Sequence, residues 1–177
     1  MLKIDVLSGM LAGENEAFEK CYRLFSPALY GFIIRICRDE STANDLLQDT
    51  FVDAFNSIGS FDKNRCFASW IKRIGFNNTL NNIKKVKRQQ EVFSQLTYLF
   101  TDGSYVNNEA ENQNLLDNLL AQITETERMV LWLSVVEQYK HDEIGRIFNK
   151  TASFSKSTLS RTLKKLKIKS EAKKYAG

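Results

Sequence analysis

Proline is nearly absent from this 177-residue chain and glycine is scarce, so Pro27 and eight glycines are its only strong backbone breakers. A sheet protein built on many tight turns needs more of both. Histidine occurs once, at His141, an expected exposed helix-start residue. No HxxxH, HxE or GxxxxGK pattern is present, so the familiar spacings of metal-dependent and nucleotide-hydrolysing enzymes are missing. Cysteine is limited to Cys21, Cys37 and Cys66, an odd number without a CxxC and with apolar neighbours. Buried, reduced thiols are expected, not a disulfide framework. No run approaches the roughly 18 apolar residues of a membrane span, and the opening MLKIDVLSGMLAG lacks the charged head and apolar core of a secretory signal. A cytoplasmic location is expected.

What is present is charge, unevenly placed. A net charge of +4 is too small to argue for a polyanionic partner by itself. Residues 1–62 hold 5 basic and 10 acidic side chains, 63–88 hold 8 and 0, 89–155 hold 4 and 10, and 156–177 hold 8 and 1. Two compact cationic blocks thus alternate with two acidic stretches. Solubility does not require that segregation, whereas two separate DNA contacts would explain it.

Leu, Ile, Phe, Lys and Asn recur at three- and four-residue intervals without sustained alternation, which predicts helices throughout. Apolar residues at positions 17, 18, 21, 22, 25, 29, 32, 33 and 36 mark one helical stretch. Ser26-Pro27 is expected to interrupt it, with Pro27 opening a second helix. From Ser41 a further helix turns Leu46, Leu47, Thr50, Phe51, Ala54, Phe55 and Ile58 inward and Asp45, Gln48, Asp49 and Asp53 outward, and Gly59-Ser60 ends it. Another starts near Phe67 and runs to about Arg88. Residues 89–114 turn Asn- and Glu-rich around a turn-like Thr101-Asp102-Gly103-Ser104, although Val92, Phe93, Leu96, Leu99 and Phe100 have the spacing of a short amphipathic helix. Thr124-x-x-Glu127 has capping-box spacing ahead of the apolar run Met129 to Leu133. The expected fold is all-α: two small helical domains, 1–90 and 115–177, joined by a linker at 91–114.

In the first basic block Arg73, Asn77, Asn81, Lys84 and Arg88 fall within one narrow helical stripe with Trp70 at its head. Amides that read base edges, cations for phosphates and an aromatic ring for stacking suit unpaired DNA; a solvated face beside a core Trp is the bland alternative. Phe67, Ile71 and Ile74 begin an apolar seam, whereas Phe76, Leu80 and Ile83 lie on another side, which demands either a kink or two faces buried in succession. In the last block Leu159, Leu163 and Leu166 form a seam opposite Ser157, Ser160, Arg161 and Lys164, as in the second helix of a helix-turn-helix. Glu143 to Phe148 supply the preceding short helix, with the small Gly145 permitting close approach. An ordinary surface helix would show a similar leucine seam.

Five segments, in order and spacing, resemble the extracytoplasmic-function sigma factors of bacterial RNA polymerase. Gly13-Glu14-Asn15-Glu16-Ala17-Phe18 resembles G-D-x-x-A-F, and Tyr22 to Gly31 resembles the Y-x-x-x-x-P-x-L-Y that follows. Asp45 to Phe51, DLLQDTF, resembles D-L-x-Q-E-x-F of region 2, and Phe67 to Asn77 resembles F-x-x-W-L-x-x-I-A-x-N. Ile123 to Leu131 resembles the L-P-E-x-x-R-x-V-L that opens region 4. The resemblance implies that region 2 binds the polymerase clamp and the promoter minus-10 element, and that region 4 binds the minus-35 element and the polymerase flap. Asp45, Gln48, Asp49 and Phe51 become the implied clamp-binding surface. Phe61, Lys63, Asn64 and Arg65 lie in the implied loop, FDKNRCF, that captures a base flipped from the non-template strand; Trp70, Arg73, Asn77, Asn81, Lys84 and Arg88 extend that contact. Lys156, Ser157, Ser160, Arg161 and Lys164 are the implied minus-35 set. An anti-sigma factor, membrane-anchored in some pairs, is a further implied partner. No catalytic residue, cofactor, metal or small-molecule substrate is implied.

The chain departs from the pattern at several points. Asp49 replaces the usual Glu, Asn81 stands where many members carry Asp, and Thr124 replaces Pro. Phe154 to Arg161, FSKSTLSR, resembles I-S-x-G-T-V-x-S-R only if Lys150-Thr151-Ala152-Ser153 are inserted ahead of it, enlarging the turn from Asn149 to Ser155; four extra residues must loop out or extend a helix. An autonomous helix-turn-helix regulator would explain the last block but leave Asp45 to Phe51 and the Trp70 helix without a role. An enzyme acting on nucleic acid would need clustered carboxylates, a nucleophile with its base, or metal ligands. A helical adaptor would leave both basic blocks as coincidence.

Overall fold

The computed structural model describes residues 4–97 and 115–175. Its elements are α1 (Ile4–Leu11), α2 (Asn15–Cys37), α3 (Glu40–Ser57), α4 (Phe67–Thr97), α5 (Leu115–Leu120), α6 (Glu125–Leu131), α7 (His141–Phe148) and α8 (Ala152–Tyr175), with a 3-10 turn at Ile58–Ser60 and a π turn at Trp132–Val136. No strand occurs among the described residues, and the expected all-α class holds. The chain divides into two compact units, Met1–Thr79 and Leu80–Gly177. That division falls inside α4, which continues past Arg88 to Thr97 and so takes Val92, Phe93 and Leu96 into its length. Leu99, Phe100 and the turn at Thr101 to Ser104 lie outside the described residues.

In the first unit α2 is one unbroken helix with Pro27 inside it, correcting the expected break. A proline in a helix interior costs about 3 kcal/mol through its missing N–H and its clash with the preceding turn. Here Pro27 and Arg23, whose carbonyl loses its partner, are both exposed, so water can serve that group. Cys21, Leu29, Phe32, Ile33 and Ile36 are buried along the same helix. At roughly 1.5–3 kcal/mol for each large side chain, their burial outweighs the defect. Asp39 caps α3, accepting a 2.7 Å hydrogen bond from the Thr42 N–H. The bonds to Thr42 hold its carboxyl below the ordinary range.

Helix α4 needs no kink to bury two faces. Phe67, Ile71, Gly75, Thr79 and Ile83 are all buried and form one i, i+4 row, which drifts about 40° per step around the helix. The row escapes an apolar search because its middle members are Gly75 and Thr79. A Cβ on Gly75 would stand 3.2 Å from Leu29 Cδ2 and 3.5 Å from Thr50 Cγ2, so α4 meets α2 and α3 here with room for little more than a methyl group. The two buried threonines satisfy their own hydroxyls: Thr79 donates to the Gly75 carbonyl at 2.8 Å and Thr50 to the Leu46 carbonyl at 2.6 Å. Rings lock the packing, with Phe25 against Phe67 at 5.4 Å and Phe32 edge-on to Phe76 at 4.7 Å.

Of the three free thiols only Cys21 matches the expected burial, which pushes it up to about 12. Cys37 is half-buried. Cys66 is exposed, because it sits in the loop directly ahead of α4.

The second unit opens with the capping box read from the sequence: the Glu127 N–H donates to Thr124 Oγ1 at 3.2 Å, and the Thr124 N–H donates to Glu127 Oε2 at 2.9 Å. Glu127 also accepts a 2.5 Å bond from Lys165 on α8. Burial pushes its carboxyl up, but the bonds from Lys165 and Thr124 outweigh burial and hold it below the ordinary 4.5. Buried Arg128 donates to the Leu120 carbonyl at 2.9 Å and the Ile123 carbonyl at 2.8 Å, closing the end of α5.

Helices α7 and α8 meet through a turn that is short, not enlarged. Asn149 takes the left-handed conformation at φ 53°, and α8 has begun by Ala152. Of the two placements expected for the four residues, looping out or extending a helix, the second holds for two of them: Ala152 and Ser153 form the start of α8. Gly145 makes this possible, since a Cβ there would stand 2.8 Å from the Lys150 carbonyl oxygen and 2.9 Å from the Thr151 carbonyl carbon. His141, expected to be exposed, is half-buried with Nδ1 3.0 Å from Ser155 Oγ. The leucine seam is also corrected. Ser155, Thr158 and Thr162 form the buried side of α8, Leu159 and Leu166 are half-buried, and Leu163 is 48% exposed. Small side chains suit a helix drawn this close to its neighbours.

Gly145→Ala should force the Lys150–Thr151 backbone outward and destabilise the second unit by about 1–3 kcal/mol, read as faster amide hydrogen exchange in α7 and early α8. Glu127 makes a pH-dependent contribution. Its folded value is depressed, so the stabilisation is present above 4.5 and is lost as pH falls through the lowered value. Lys165→Met should shift the Glu127 carboxyl titration, followed by NMR, to higher pH.

Candidate nucleic-acid interface

Four surfaces carry the residues singled out from the sequence. On α3, Asp45, Gln48 and Asp49 are exposed on one side, joined by Val52 and Asp53. Phe51, expected to share that surface, is 3% exposed. Its ring packs 4.6 Å from Tyr22 and 5.6 Å from Phe55. Three residues from Gln48 and two from Asp49, it faces the core and supports the outer face from beneath.

Between the 3-10 turn and α4 lies the loop FDKNRCF. Phe61 and Phe67 are both buried, 5.3 Å apart and edge-on, so the loop is closed at its base by an aromatic pair. Asp62 to Cys66 are all exposed above it. Phe61, expected to contact DNA, is 8% exposed and instead anchors the loop. Lys63, Asn64 and Arg65 have the expected exposure. Asp62 shapes the segment: its Oδ1 accepts from the Asn64 N–H at 3.0 Å and its carbonyl from the Arg65 N–H at 2.9 Å. The Cys66 thiol is held below its ordinary range by hydrogen bonds from the Ser69 backbone and side chain. Trp70 leans on both anchors, 5.2 Å from Phe61 and 5.3 Å from Phe67, and remains half-buried. It can therefore offer a ring edge to a stacked base while its other side is held.

Along α4, Arg73, Asn77, Asn81, Lys84 and Arg88 are all exposed, as the stripe requires. Sequence reading missed one link beside it. Asn78 Nδ2 donates to Asp53 Oδ2 at 2.8 Å, tying the outer edge of α3 to α4. Nothing in the local sequence around either residue signals a bond across 25 positions.

On α8, Lys156, Ser157, Ser160, Arg161 and Lys164 are exposed. Arg161 Nε donates to the Ser157 carbonyl at 3.2 Å, which lays its side chain back along the helix. Ser153, one of the four residues expected to loop out or extend a helix, lies on the first turn of α8 and is exposed as well.

Among the described residues no group of three or more His, Cys, Asp or Glu side chains is arranged to hold a metal ion, and no helix is long and apolar enough to cross a membrane. The arrangement is one for binding: two cationic helical faces, a loop gripped by aromatics, and an acidic helix face.

Comparison with known proteins agrees. The model for Sigma-70 region 2 matches residues 21–89 and that for Sigma-70, region 4 matches residues 113–166. The ECF RNA polymerase sigma factor SigW of Bacillus subtilis (strain 168) is 26% identical over 149 residues, covering 77% of this chain and 80% of its own. The RNA polymerase sigma factor CarQ of Myxococcus xanthus is 28% identical over 138 residues, covering 76% and 78%. The fold is shared with the sigma factor RpoE, solved in complex with the anti-sigma factor NepR from Bartonella quintana, at a TM-score of 0.58 and 21% identity over 85% of this chain and 94% of that one. It is shared equally with CnrH, solved with the cytosolic domain of CnrY, at a TM-score of 0.58 and 19% identity over 94% and 96%.

Phe51→Ala should lower stability of the first unit by about 3–5 kcal/mol by emptying a core position, whereas Asp49→Ala should leave the thermal midpoint unchanged. Calorimetry on the two variants separates a supporting residue from a surface one.

Proposed function

The chain belongs to the sigma-70 family as an extracytoplasmic-function sigma factor of RNA polymerase, and from that premise we propose how its surfaces divide the work of promoter recognition. The module at 1–90 engages core polymerase and the minus-10 element, 115–177 engages the minus-35 element and the flap, and 91–114 links them. Asp45, Gln48 and Asp49 on α3 form the face that docks the polymerase clamp, with Phe51 supporting it. The loop Asp62 to Cys66 receives a base extruded from the non-template strand; extrusion costs a few kcal/mol, least where the duplex is already opening, so a pocket and a few hydrogen bonds suffice. Trp70 stacks at the edge of the opened segment while Arg73, Lys84 and Arg88 meet phosphates and Asn77 and Asn81 meet bases. On α8, Lys156, Ser157, Ser160, Arg161 and Lys164 contact upstream duplex. The single observation that carries this reading is the exposed loop clamped at its base by Phe61, Phe67 and Trp70 beside a cationic stripe.

Such a protein transforms no substrate of its own and requires no cofactor; chemistry belongs to the polymerase. It works where polymerase and chromosome are, in the cytoplasm. The two solved relatives were each captured in a complex, RpoE with the anti-sigma factor NepR and CnrH with the cytosolic domain of CnrY. We extend that to an anti-sigma partner for this chain, membrane-anchored where the signal arises outside the cell. An autonomous helix-turn-helix regulator would use the second unit alone and leave the α3 face and the clamped loop idle.

Run-off transcription with core enzyme and a genomic promoter library tests the proposal. Specific initiation should appear only when the chain is added, and Asp49→Lys should weaken association with core polymerase by tenfold or more while leaving the fold intact. Tight binding of promoter duplex by the free chain, with no gain of initiation on adding core, would overturn it.

A further inference from the structure

The turn between α7 and α8 determines which residues lead on α8. Gly145 lies directly under the Lys150 and Thr151 backbone. His141 Nδ1 is 3.0 Å from Ser155 Oγ, and the Phe148 and Phe154 rings stand 5.3 Å apart. These contacts hold the first turn of α8 against α7, with the helix beginning at Ala152. Its inward direction is marked by buried Ser155, Thr158 and Thr162. At about 100° per residue the opposite direction falls on Ser153 and Ser160, with Lys164 and Lys167 within about 40° and Ser157 and Lys156 on either side. All six are exposed.

The motif register read from the sequence began this face at Lys156, behind a supposed insertion. Because α8 begins at Ala152, the helix carries another turn ahead of Lys156. A shift of four residues is a net rotation of only about 40°, so the outward face is preserved, but it moves roughly 6 Å along the helix axis. A recognition helix meets base edges chiefly with its N-terminal residues. Ser153 then leads, and Arg161, about two turns further on with its side chain laid along the helix, is placed for phosphate.

We propose that Ser153 is a base-reading residue of the upstream duplex contact, and that α8 offers the groove a row of hydroxyls from Ser153, Ser157 and Ser160 flanked by phosphate-binding lysines at 156, 164 and 167. This rests on the assignment of the second unit to the minus-35 element. Ser153 to Ser160 spans roughly 10 Å, about three base-pair steps. A serine hydroxyl both donates and accepts and pairs with several base edges, and that of Ser157 already donates to the Phe154 carbonyl at 3.1 Å, so this row discriminates weakly. Position 153 is therefore open to a gain of specificity.

The test uses the full chain with core polymerase on promoters selected by the parent protein, their upstream element randomised. Ser153→Arg should acquire a preference for guanine at one upstream base pair on the order of tenfold, the signature of a bidentate arginine contact, with its circular dichroism melt unchanged because the side chain is exposed. If Ser153→Arg keeps the parental preferences at every position while Ser160→Arg gains one, α8 engages DNA a turn further along and the proposal is wrong. If randomising the upstream element leaves even the parent's output unchanged, the minus-35 assignment itself fails, and the role of Ser153 fails with it.

Discussion

The close seating of α4 on α2 and α3 is the constraint from which the first unit's surfaces follow. Gly75 meets Leu29 of α2 and Thr50 of α3 there, and the buried hydroxyls of Thr50 and Thr79 bond within their own helices instead of needing partners elsewhere. With the row from Phe67 to Thr79 facing inward, the stripe that starts at Arg73 must face outward. The start of α4 is fixed by the same packing: Phe67 is held by Phe25 from α2 and by Phe61 from across the loop. Five exposed residues are thereby suspended between two buried aromatic anchors. Under the proposed function, these two anchors would hold the loop that receives an unstacked base.

Much of this was legible in sequence where local rules apply. The Thr124–Glu127 box and the polar stripe on α4 appear where capping spacing and periodicity put them. The failures share a cause, because each depends on the surroundings of a residue and not on its type. Pro27 sits within α2 because the carbonyl it orphans faces water and its helix is buried elsewhere. The seam of α4 was invisible because Gly75 and Thr79 carry it. Leu163 was read as inward because leucine usually is, yet Ser155, Thr158 and Thr162 are the residues small enough for α8 to pack closely. Phe51 and Phe61 were assigned to surfaces because motifs record which residues matter without saying whether they touch a partner or support those that do.

The turn between α7 and α8 decides where the outward face of α8 begins. Four residues make little more than one helical turn, so sliding the match by four preserves the pattern of outward serines and lysines. Only the helix start separates the two registers. That start is set by Gly145, whose Cβ-less backbone admits two carbonyl groups that any other residue would push away, and by Asn149, one of the residue types that tolerate the left-handed conformation.

The alternation of charge along the chain acquires a physical role once the surfaces are placed. Asp45, Asp49 and Asp53 share one side of α3, and Asp53 is bonded to Asn78, immediately beside Asn77 of the cationic stripe on α4. Screening at physiological salt acts over about 8 Å, so under the proposed function a carboxylate bonded beside the stripe would oppose a DNA phosphate approaching that edge of it. Under the proposed docking, the clamp would cover the acidic face and remove part of that opposition as it orients the loop. Promoter contact would then be favoured after polymerase binding, because the helix pair proposed to attract DNA along α4 also carries, on the adjoining side of α3, the repulsion that the polymerase would relieve.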